Sequence, residues 1–421
     1  MAFISLLLYI TVIYLRPAEW FFLFYGWQLL DILAIAMGVF LIFSLIKTKT
    51  KFTKAPQNIF ILGFLGALIA SHLSHFYFYG ALSAFTDFSK TVIMFFLIVN
   101  LVNSIKKFKI TIWLLIILTL ILAVQGIMQY RTGFGLAGQP LTKDGRITWI
   151  GIFDNPNDLA LALVMIVPFL LNSIFGYSAA RYKIIGLPIL GILLYAIYLT
   201  NSRGGMVALL AVVFFYFLLR LMRKRHPILG IIIGVILVVL LFMHGPSRMG
   251  MLSPEEESAY GRLDAWYEGI QMLKLAPLFG VGYNMFMDYH LRVAHNSIIH
   301  CAAETGLMGL FFWMGLFYLS YKSLLKIQKL KEHSSKAKNI KSYAFALQIS
   351  IFGFLTSAFF SSRPYIALPY ILIALSVALF NATQKIWGEL EANFTLIDLR
   401  NIGLLCLSSL GLIWGITRIC L

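Results

Sequence analysis

The sequence predicts an all-α protein that crosses a membrane many times. Of its 421 residues, 60% are hydrophobic and only 12% are charged, and the mean hydropathy is +0.86. Soluble domains carry about twice that share of charged residues. Apolar runs of helical length recur along the whole chain with short polar segments between them, which is typical of a polytopic membrane protein.

Thirteen apolar runs are candidates for helices that span the membrane. Several are shorter than the roughly 20 residues of a straight span, and the first and last runs are the weakest, so we expect twelve or thirteen spans. The first run should be kept as a helix, because it lacks the basic start and the cleavage site of a secretion signal. The runs cover residues 2–15, 27–46, 58–73, 88–104, 111–128, 155–175, 184–200, 204–221, 227–243, 297–320, 342–361, 365–381 and 402–418.

The distribution of lysine and arginine predicts the orientation of these spans. The net charge is +17, and most of the 34 basic residues fall on inner segments if the N-terminus is cytoplasmic. That bias fits the positive-inside rule. Because the basic residues form short clusters between apolar runs, not one basic surface, we expect no nucleic-acid partner.

Three polar features then share the outer, extracytoplasmic face. They are the loop at 129–154, the turn around Arg203 and the long segment 244–296. We therefore expect a single transmembrane domain, residues 1–421, whose chemistry takes place on that side of the membrane.

The three cysteines carry no sign of a cofactor or a disulfide framework. Cys301, Cys406 and Cys420 lie in or beside apolar runs, and their spacing is not that of metal ligands. Such cysteines behave as small hydrophobic residues. We predict neither a metal site nor a cofactor.

The loop at 129–154 leads into a well-marked helix start. Asn155 is a good cap, Pro156 fits the first helical position, and Asp158 complements the helix dipole in the first turn. Asp154 and Asp158 can also be interpreted as a carboxylate pair for metal binding or acid–base work. We favour capping, because it explains the residue types without further chemistry.

The next outer feature is the tight turn TNSRGG at residues 200–205. Gly204 and Gly205 have a structural reason, since a tight turn favours glycine. Arg203 has none, and an arginine held at the membrane face suits a phosphate or carboxylate partner. The alternative is an arginine that extends to lipid phosphates.

An amphipathic helix is predicted within 244–296, after a turn at 245–247 and an acidic patch at 255–257. From Tyr260 onwards, apolar residues repeat at three- and four-residue steps. Such a helix can lie along the membrane surface with its tryptophan at the headgroup level. The apolar positions are Leu263, Trp266, Ile270 and Leu273.

The same segment carries an arginine and two glycines. Arg262 lies at the beginning of the predicted helix, where the helix dipole also attracts anions. The stretch LFGVGYN at 278–284 supplies glycines for a turn or a close backbone approach. We expect the segment to fold over the mouth of the membrane domain as a lid.

Titratable side chains follow, at the mouth of a predicted membrane helix. The stretch from Tyr283 to Phe312 contains His295, Asn296, His300 and Glu304. Polar groups near the bilayer are costly and usually functional. The alternative is that His295 and Asn296 only cap the helix.

Three neighbours of His295 are candidates for substrate binding, namely Tyr283, Arg292 and Asn296. Glu304 can support the site or only pack between helices. Another arginine, Arg363 in SSRPY, returns to the outer face, either as a phosphate contact or as an anchor, and we slightly favour the anchor.

Several of these stretches together resemble the O-antigen ligase/polymerase superfamily. They are SRGG at the tight turn, GIFDNPND opening a helix, and PLFGVGYN followed by AHNSIIHCAAETGLMGL. The recognisable motifs cover roughly residues 150–320, and the box AHN…AETGLMG with its preceding GVG is the most specific of them. The resemblance implies a helical fold of the GT-C type.

The resemblance also implies an activity. It implies the metal-independent, inverting transfer of a glycan from an undecaprenyl-diphosphate carrier to an acceptor hydroxyl. Arg203 and Arg262 match the diphosphate-binding arginines of the family, and His295 matches its essential histidine. The expected acceptor is lipid A-core, and the expected location is the bacterial inner membrane, among membrane lipids, with the site facing the periplasm.

Other functions are also compatible with the sequence. A polymerase that extends a lipid-linked O-antigen or exopolysaccharide would use the same donor and a growing glycan as acceptor. A protein O-oligosaccharyltransferase is less expected, since those relatives often carry a large C-terminal extracytoplasmic domain. A small-solute transporter would favour inverted repeats and ionisable residues near mid-span, and a scaffold protein would not need the arginines.

Overall fold

The computed structural model describes residues 2–48, 52–176, 180–223, 226–243, 257–332, 334–388, 390–391 and 393–420. Within these ranges the regular structure is helical, apart from one isolated bridge between Phe134 and Pro140. The predicted all-α polytopic fold is confirmed. The chain is a multi-pass membrane protein.

Fifteen helices are described, in the order of the chain. Short 3₁₀ turns at Pro17–Glu19, Phe22–Phe24 and Gly151–Phe153 lie between some of them. The helices are α1 (Ala2–Leu15), α2 (Leu29–Thr48), α3 (Pro56–Leu73), α4 (Phe78–Leu101), α5 (Ile105–Thr132), α6 (Pro156–Phe175), α7 (Ala180–Leu199), α8 (Arg203–Arg223), α9 (Pro227–Met243), α10 (Glu257–Leu275), α11 (Phe286–Tyr289), α12 (Ser297–Gln328), α13 (Ser335–Ala358), α14 (Ala367–Trp387) and α15 (Leu396–Cys420).

Each of the thirteen predicted runs lies on a helix. Within the described residues, however, nine of these thirteen helices are long and apolar enough to cross a membrane. Among the other four, α1, α2 and α9 provide shorter apolar stretches there. The fourth, α13, carries Lys336, Lys338 and Lys341 in its first two turns, which shortens its apolar part. The nine are α3 to α8, α12, α14 and α15.

The centre of the bundle is built from α6 and α14. Their apolar windows are 89% and 83% buried inside the protein, against 28% for α7 and 22% for α15. Helix α13 packs between this centre and its neighbours α8 and α12. Helices α7 and α15 therefore lie at the edge of the bundle.

Helix α12 is interrupted one third of the way along. Gly306 has φ 66° and ψ −168°, so the helical path stops there and resumes at the next residue. The break frees backbone carbonyls at Ala303 and Glu304 and backbone N–H groups at Leu307 and Met308. Inside a membrane domain such groups must find partners within the protein.

The partners come from the loop that follows α10. The N–H groups of Val281 and Gly282 donate to Ala303 O and Glu304 O, at 2.9 and 3.0 Å. In return, the carbonyls of residues 277 and 278 accept from the N–H groups of 307 and 308, at 2.9 and 3.2 Å. Four hydrogen bonds thus fix the loop across the broken helix.

Two glycines allow this contact. A Cβ atom on Gly280 would lie 2.3 Å from the carbonyl carbon of Glu304, and one on Gly306 would lie 2.3 Å from that of Leu278. Both glycines also have positive φ, +73° and +66°. The close backbone approach expected from LFGVGYN is what the structure shows.

The predicted amphipathic helix is α10, but its apolar face contacts protein. Trp266 and Ile270 are buried in a cluster with residues of α12 and α15. Trp266 Nε1 donates to Ala294 O at 2.9 Å. The prediction that Trp266 lies at the headgroup level is therefore wrong. The turn at 245–247 and residues Glu255 and Glu256 lie outside the described residues.

We expect Gly306→Ala and Gly280→Ala to destabilise the protein by more than about 2 kcal/mol each, because each adds backbone strain and a steric clash. The measurement is thermal unfolding in detergent, with Gly66→Ala as control. Gly66 is helical, and a Cβ there meets nothing within 4 Å. An equal unfolding temperature in all three variants would contradict the account of the broken helix.

Candidate functional site

A cavity of about 230 Å³ lies at one end of the bundle. Its lining residues come largely from the loop before α6, the turn between α7 and α8, the start of α10, the loop before α12 and the end of α13. Most of its side chains are polar or basic. The lining residues are Arg146, Asn157, Asn201, Ser202, Arg203, Gly204, Gly205, Gly261, Arg262, Arg292, His295, Ser357, Phe360 and Ser361.

The three residues expected to be catalytic meet in this cavity. Arg203 is the first residue of α8, Arg262 lies in the second turn of α10, and His295 precedes α12. They come from segments up to 92 positions apart in the chain. The sequence alone does not show this convergence, which the proposed chemistry requires.

The turn that carries Arg203 is held rigidly. The hydroxyl of Ser202 accepts from Gly205 N at 3.1 Å and donates to Asn157 Oδ1 at 2.7 Å, so it caps α8 and ties it to α6. A Cβ on Gly205 would lie 2.5 Å from that of Ala160, which explains the glycine. The backbone from which the side chain of Arg203 extends is therefore fixed.

A further arginine lines the cavity and was not singled out by the sequence analysis. Arg146 Nε donates to Thr200 O at 2.7 Å, and its Nη2 donates to Asn157 Oδ1 at 3.0 Å. Within the polar loop 129–154 no pattern distinguished this residue from its neighbours. Its contacts fasten the loop to the turn that carries Arg203.

His295 sits on a strained and well-held piece of backbone. Its φ is 50°, in the left-handed region that residues other than glycine rarely adopt. On one side, Ala294 is held by Trp266. On the other, Asn296 Oδ1 accepts from the N–H groups of residues 298 and 299, at 2.9 and 3.2 Å, and caps α12.

The surroundings keep the imidazole of His295 neutral. Burial, and after it the positive charges of Arg262, Arg363 and Arg292 together with His300, lower its pKa to about 4. At neutral pH the ring therefore has a free lone pair. Negative charge that enters the cavity would favour its conjugate acid.

Asp158 and Arg363 form an ion pair at the edge of the site. Arg363 Nε lies 2.5 Å from Asp158 Oδ1, and Arg363 N donates to Ser297 Oγ at 2.8 Å. The pair joins the first turn of α6 to the start of α12, which supports the anchor interpretation. Asn155 caps α6 as predicted, because its side chain accepts a hydrogen bond from Asn157 N at 2.9 Å. Asp154 is exposed.

Glu304 is buried behind the site and joins three segments. Its Oε1 accepts from Phe286 N at 3.0 Å, and its Oε2 accepts from Tyr365 Oη at 2.8 Å. His300 Nε2 lies 3.4 Å from the same Oε2. The carboxylate thus supports the loop that carries His295, and it does not line the cavity.

Two of the predicted substrate-binding residues, Tyr283 and Asn296, do not line the cavity. Tyr283 is 8% exposed, its N–H donates to Ser71 Oγ at 3.0 Å, and its ring packs edge-on against Tyr365. Asn296 is fully buried as the cap of α12. Packing accounts for both residues.

Arg292 does line the cavity, on the side of α10. Its backbone carbonyl and His290 Nδ1 are 2.8 Å apart, while His290 Nε2 lies 3.0 Å from Asp264 Oδ2. Burial lowers the pKa of His290, but these hydrogen bonds and the carboxylate outweigh burial and raise it. The resulting bridge holds the loop of Arg292 against α10.

The chemistry of this arrangement is that of an anion site with a base. Arg146, Arg203, Arg262 and Arg292 surround a small cavity, and one neutral imidazole faces the same space. One guanidinium group can donate two parallel hydrogen bonds to two oxygens of a phosphate. In the described part of the chain, no three His, Cys, Asp or Glu side chains gather as a metal-ligand set.

Comparison with known proteins gives one family. Residues 188–314 match the O-antigen ligase family, and this stretch contains Arg203, Arg262 and His295. No curated protein matches the chain. The match supports a relation of this multi-pass membrane protein to the O-antigen ligase superfamily.

Proposed function

We propose that the protein is a glycosyltransferase that moves a glycan from an undecaprenyl-diphosphate carrier to the hydroxyl of an acceptor, with lipid A-core as the expected acceptor. The observation that carries the proposal is the convergence of Arg203, Arg262 and His295 on one cavity. Guanidinium groups suit a diphosphate, and a neutral imidazole suits the removal of a hydroxyl proton.

The step follows from these roles. The acceptor oxygen forms a bond to the anomeric carbon while the bond from that carbon to the diphosphate oxygen breaks. The hydroxyl proton passes to His295, and the electron pair leaves with the lipid diphosphate. Arg203 and Arg262 stabilise the charge that develops on the leaving group. Displacement from the opposite face inverts the anomeric centre.

An apolar groove next to the cavity offers room for the lipid of the donor. It measures about 300 Å³ and lies between α12, α13 and α15, with Ile298, Leu355 and Leu405 among its lining residues. Ser357 lines the cavity, while its neighbour Ala358 lines the groove. A polar cavity beside an apolar groove suits an amphiphilic diphosphate.

The orientation that the basic residues predict supports a location of the cavity at the periplasmic face of a bacterial inner membrane. The cavity adjoins the starts of α6, α8 and α12, and the lysines of α13 lie at the other end of the bundle. Gathering of the polar site at one end favours a transferase over a transporter.

The decisive test is transfer from a lipid-diphosphate-linked glycan in EDTA. We expect His295→Asn to lower the rate about 10²–10⁴-fold, because asparagine tolerates the left-handed backbone but takes up no proton. Arg203→Ala and Arg262→Ala should each cost about 10²–10³-fold. Arg203→Lys should recover little, since it cannot bind in a bidentate way.

The matched control is Arg131→Ala, an exposed arginine at the end of α5 that does not line the cavity. It should transfer at the wild-type rate. Transfer to lipid A-core identifies a ligase, and lengthening of the lipid-linked glycan identifies a polymerase with the same site. Wild-type rates in His295→Asn would remove this residue from the mechanism.

The pH dependence should report the low pKa of His295. We expect kcat/KM for the donor to stay flat from pH 7 to pH 5 and to fall only near pH 4, since the free site holds the pKa at about 4. The acid limb of kcat should lie at higher pH, because a bound diphosphate offsets the arginines.

The stability of the fold must be followed in the same experiment. A histidine whose pKa is lower in the folded state makes folding less favourable as the pH drops below its unfolded value of about 6.5. Rates should therefore be compared only where the unfolding temperature is unchanged. An acid limb of kcat/KM near pH 6.5 would show that the imidazole is not perturbed.

The groove can be tested by filling it. We expect Leu405→Trp to raise KM about tenfold for a donor with a full-length polyprenyl chain, and to leave KM unchanged for a donor with a short chain. Leu407→Trp is the control, since Leu407 is also on α15 and exposed but does not line the groove. Equal effects on both donors would place the lipid elsewhere.

A further inference from the structure

A second cavity lies at the opposite end of the bundle. It measures about 810 Å³ and lies between the starts of α5, α7 and α13 and the end of α6. On α6, Asn157 lines the candidate site and Asn172 lines this cavity. Fifteen residues of helix separate them, or about 22 Å along the axis. The two cavities are thus separate sites.

Three basic side chains border this cavity. Lys106 and Lys109 come from the start of α5, and Arg181 from the start of α7. The guanidinium of Arg181 lies 4.9 Å above the ring of Tyr182, and Lys109 Nζ lies 5.8 Å above that of Tyr343. The aromatic rings hold two of the charges next to the opening.

The wall beyond these charges is apolar. It continues along α5 through Ile110, Trp113, Leu114 and Ile117. Ile110 and Ile117 are 40% and 49% exposed, so the cavity opens sideways to the surface of the bundle. A cationic border at the end of an apolar slot matches a molecule with an anionic head and a hydrocarbon tail.

We propose that this cavity binds an anionic phospholipid from the cytoplasmic leaflet of the membrane. The headgroup phosphate lies among Lys106, Lys109 and Arg181, and an acyl chain lies along α5. The charges select for a net negative headgroup, and the apolar wall selects for a lipid over a free phosphate. This inference does not depend on the proposed transferase activity.

A lipid at this position has a structural effect. Helix α7 lies at the edge of the bundle and packs mainly against α5 and α6. Because the cavity separates the starts of α5, α7 and α13, a lipid that fills it joins these helices through contacts to all three. Binding to the folded state then raises the temperature of unfolding.

Another basic surface of the protein lacks such an apolar wall. Lys326, Lys329 and Lys331 border a cavity of about 580 Å³ together with Glu391. Leucines 330 and 390 are its apolar lining residues, so it has no long apolar slot. Attraction by charge alone would bring an anion to both basic surfaces. A lipid with an acyl chain also needs the apolar wall, which only the first of these two cavities provides.

The experiment titrates the purified full-length protein in neutral detergent with phosphatidylglycerol, followed by native mass spectrometry and thermal unfolding. We expect each lost cation to weaken binding about fivefold, so that Lys106→Ala/Lys109→Ala/Arg181→Ala weakens it on the order of 100-fold. Lys329→Ala/Lys331→Ala is the control and should bind as the wild type does.

Three further arms separate the outcomes. Phosphatidylcholine and glycerol phosphate should each bind weakly and leave the unfolding temperature unchanged. Phosphatidylglycerol with a photoreactive acyl chain should label wild-type peptides that contain residues 110–117 of α5, a measurement that does not depend on whether the triple variant folds. Equal binding of both phospholipids, or labelling spread over all lipid-facing helices, would overturn the proposal.

Discussion

The candidate site depends on the hydrogen bonds across the break in α12. A membrane helix interrupted at Gly306 exposes four backbone groups that lipid cannot satisfy. The loop at 277–282 forms hydrogen bonds with these four groups. It is thereby fixed to α12, which begins directly after Asn296. His295 lies between that loop and that helix. Its position is therefore set by backbone pairing, which tolerates little movement.

Buried side chains complete this support from two other directions. Glu304, two residues before the break, accepts hydrogen bonds from the backbone N–H of Phe286 and the hydroxyl of Tyr365. Trp266 joins α10 to Ala294, one residue before His295. Because Arg262 is on α10 as well, the same contact links the helix of Arg262 to the backbone beside His295, the two residues proposed to bind the diphosphate and to act as the base. A polar network of this kind is effective only when its members are satisfied.

The helices and the charged residues at their ends could be predicted from the sequence, since hydropathy and helix starts are local properties. The convergence of Arg203, Arg262 and His295 could not, and neither could the part played by Arg146, which depends on contacts with residues 11 and 54 positions away. Amphipathicity also does not identify what an apolar face contacts. For that reason Trp266 was expected at the membrane surface and is found inside the protein.

The electrostatics of the cavity give an order to the proposed reaction. With the cavity free of anions, the arginines and burial keep His295 a weak base, because its conjugate acid would add another positive charge. A diphosphate between the guanidinium groups offsets this field, and the same imidazole then becomes a stronger base. In the proposed mechanism, donor binding thus prepares His295 to accept the hydroxyl proton of the acceptor. In the proposed reaction, an acceptor hydroxyl that enters before the donor would meet a weaker base than one that enters after it.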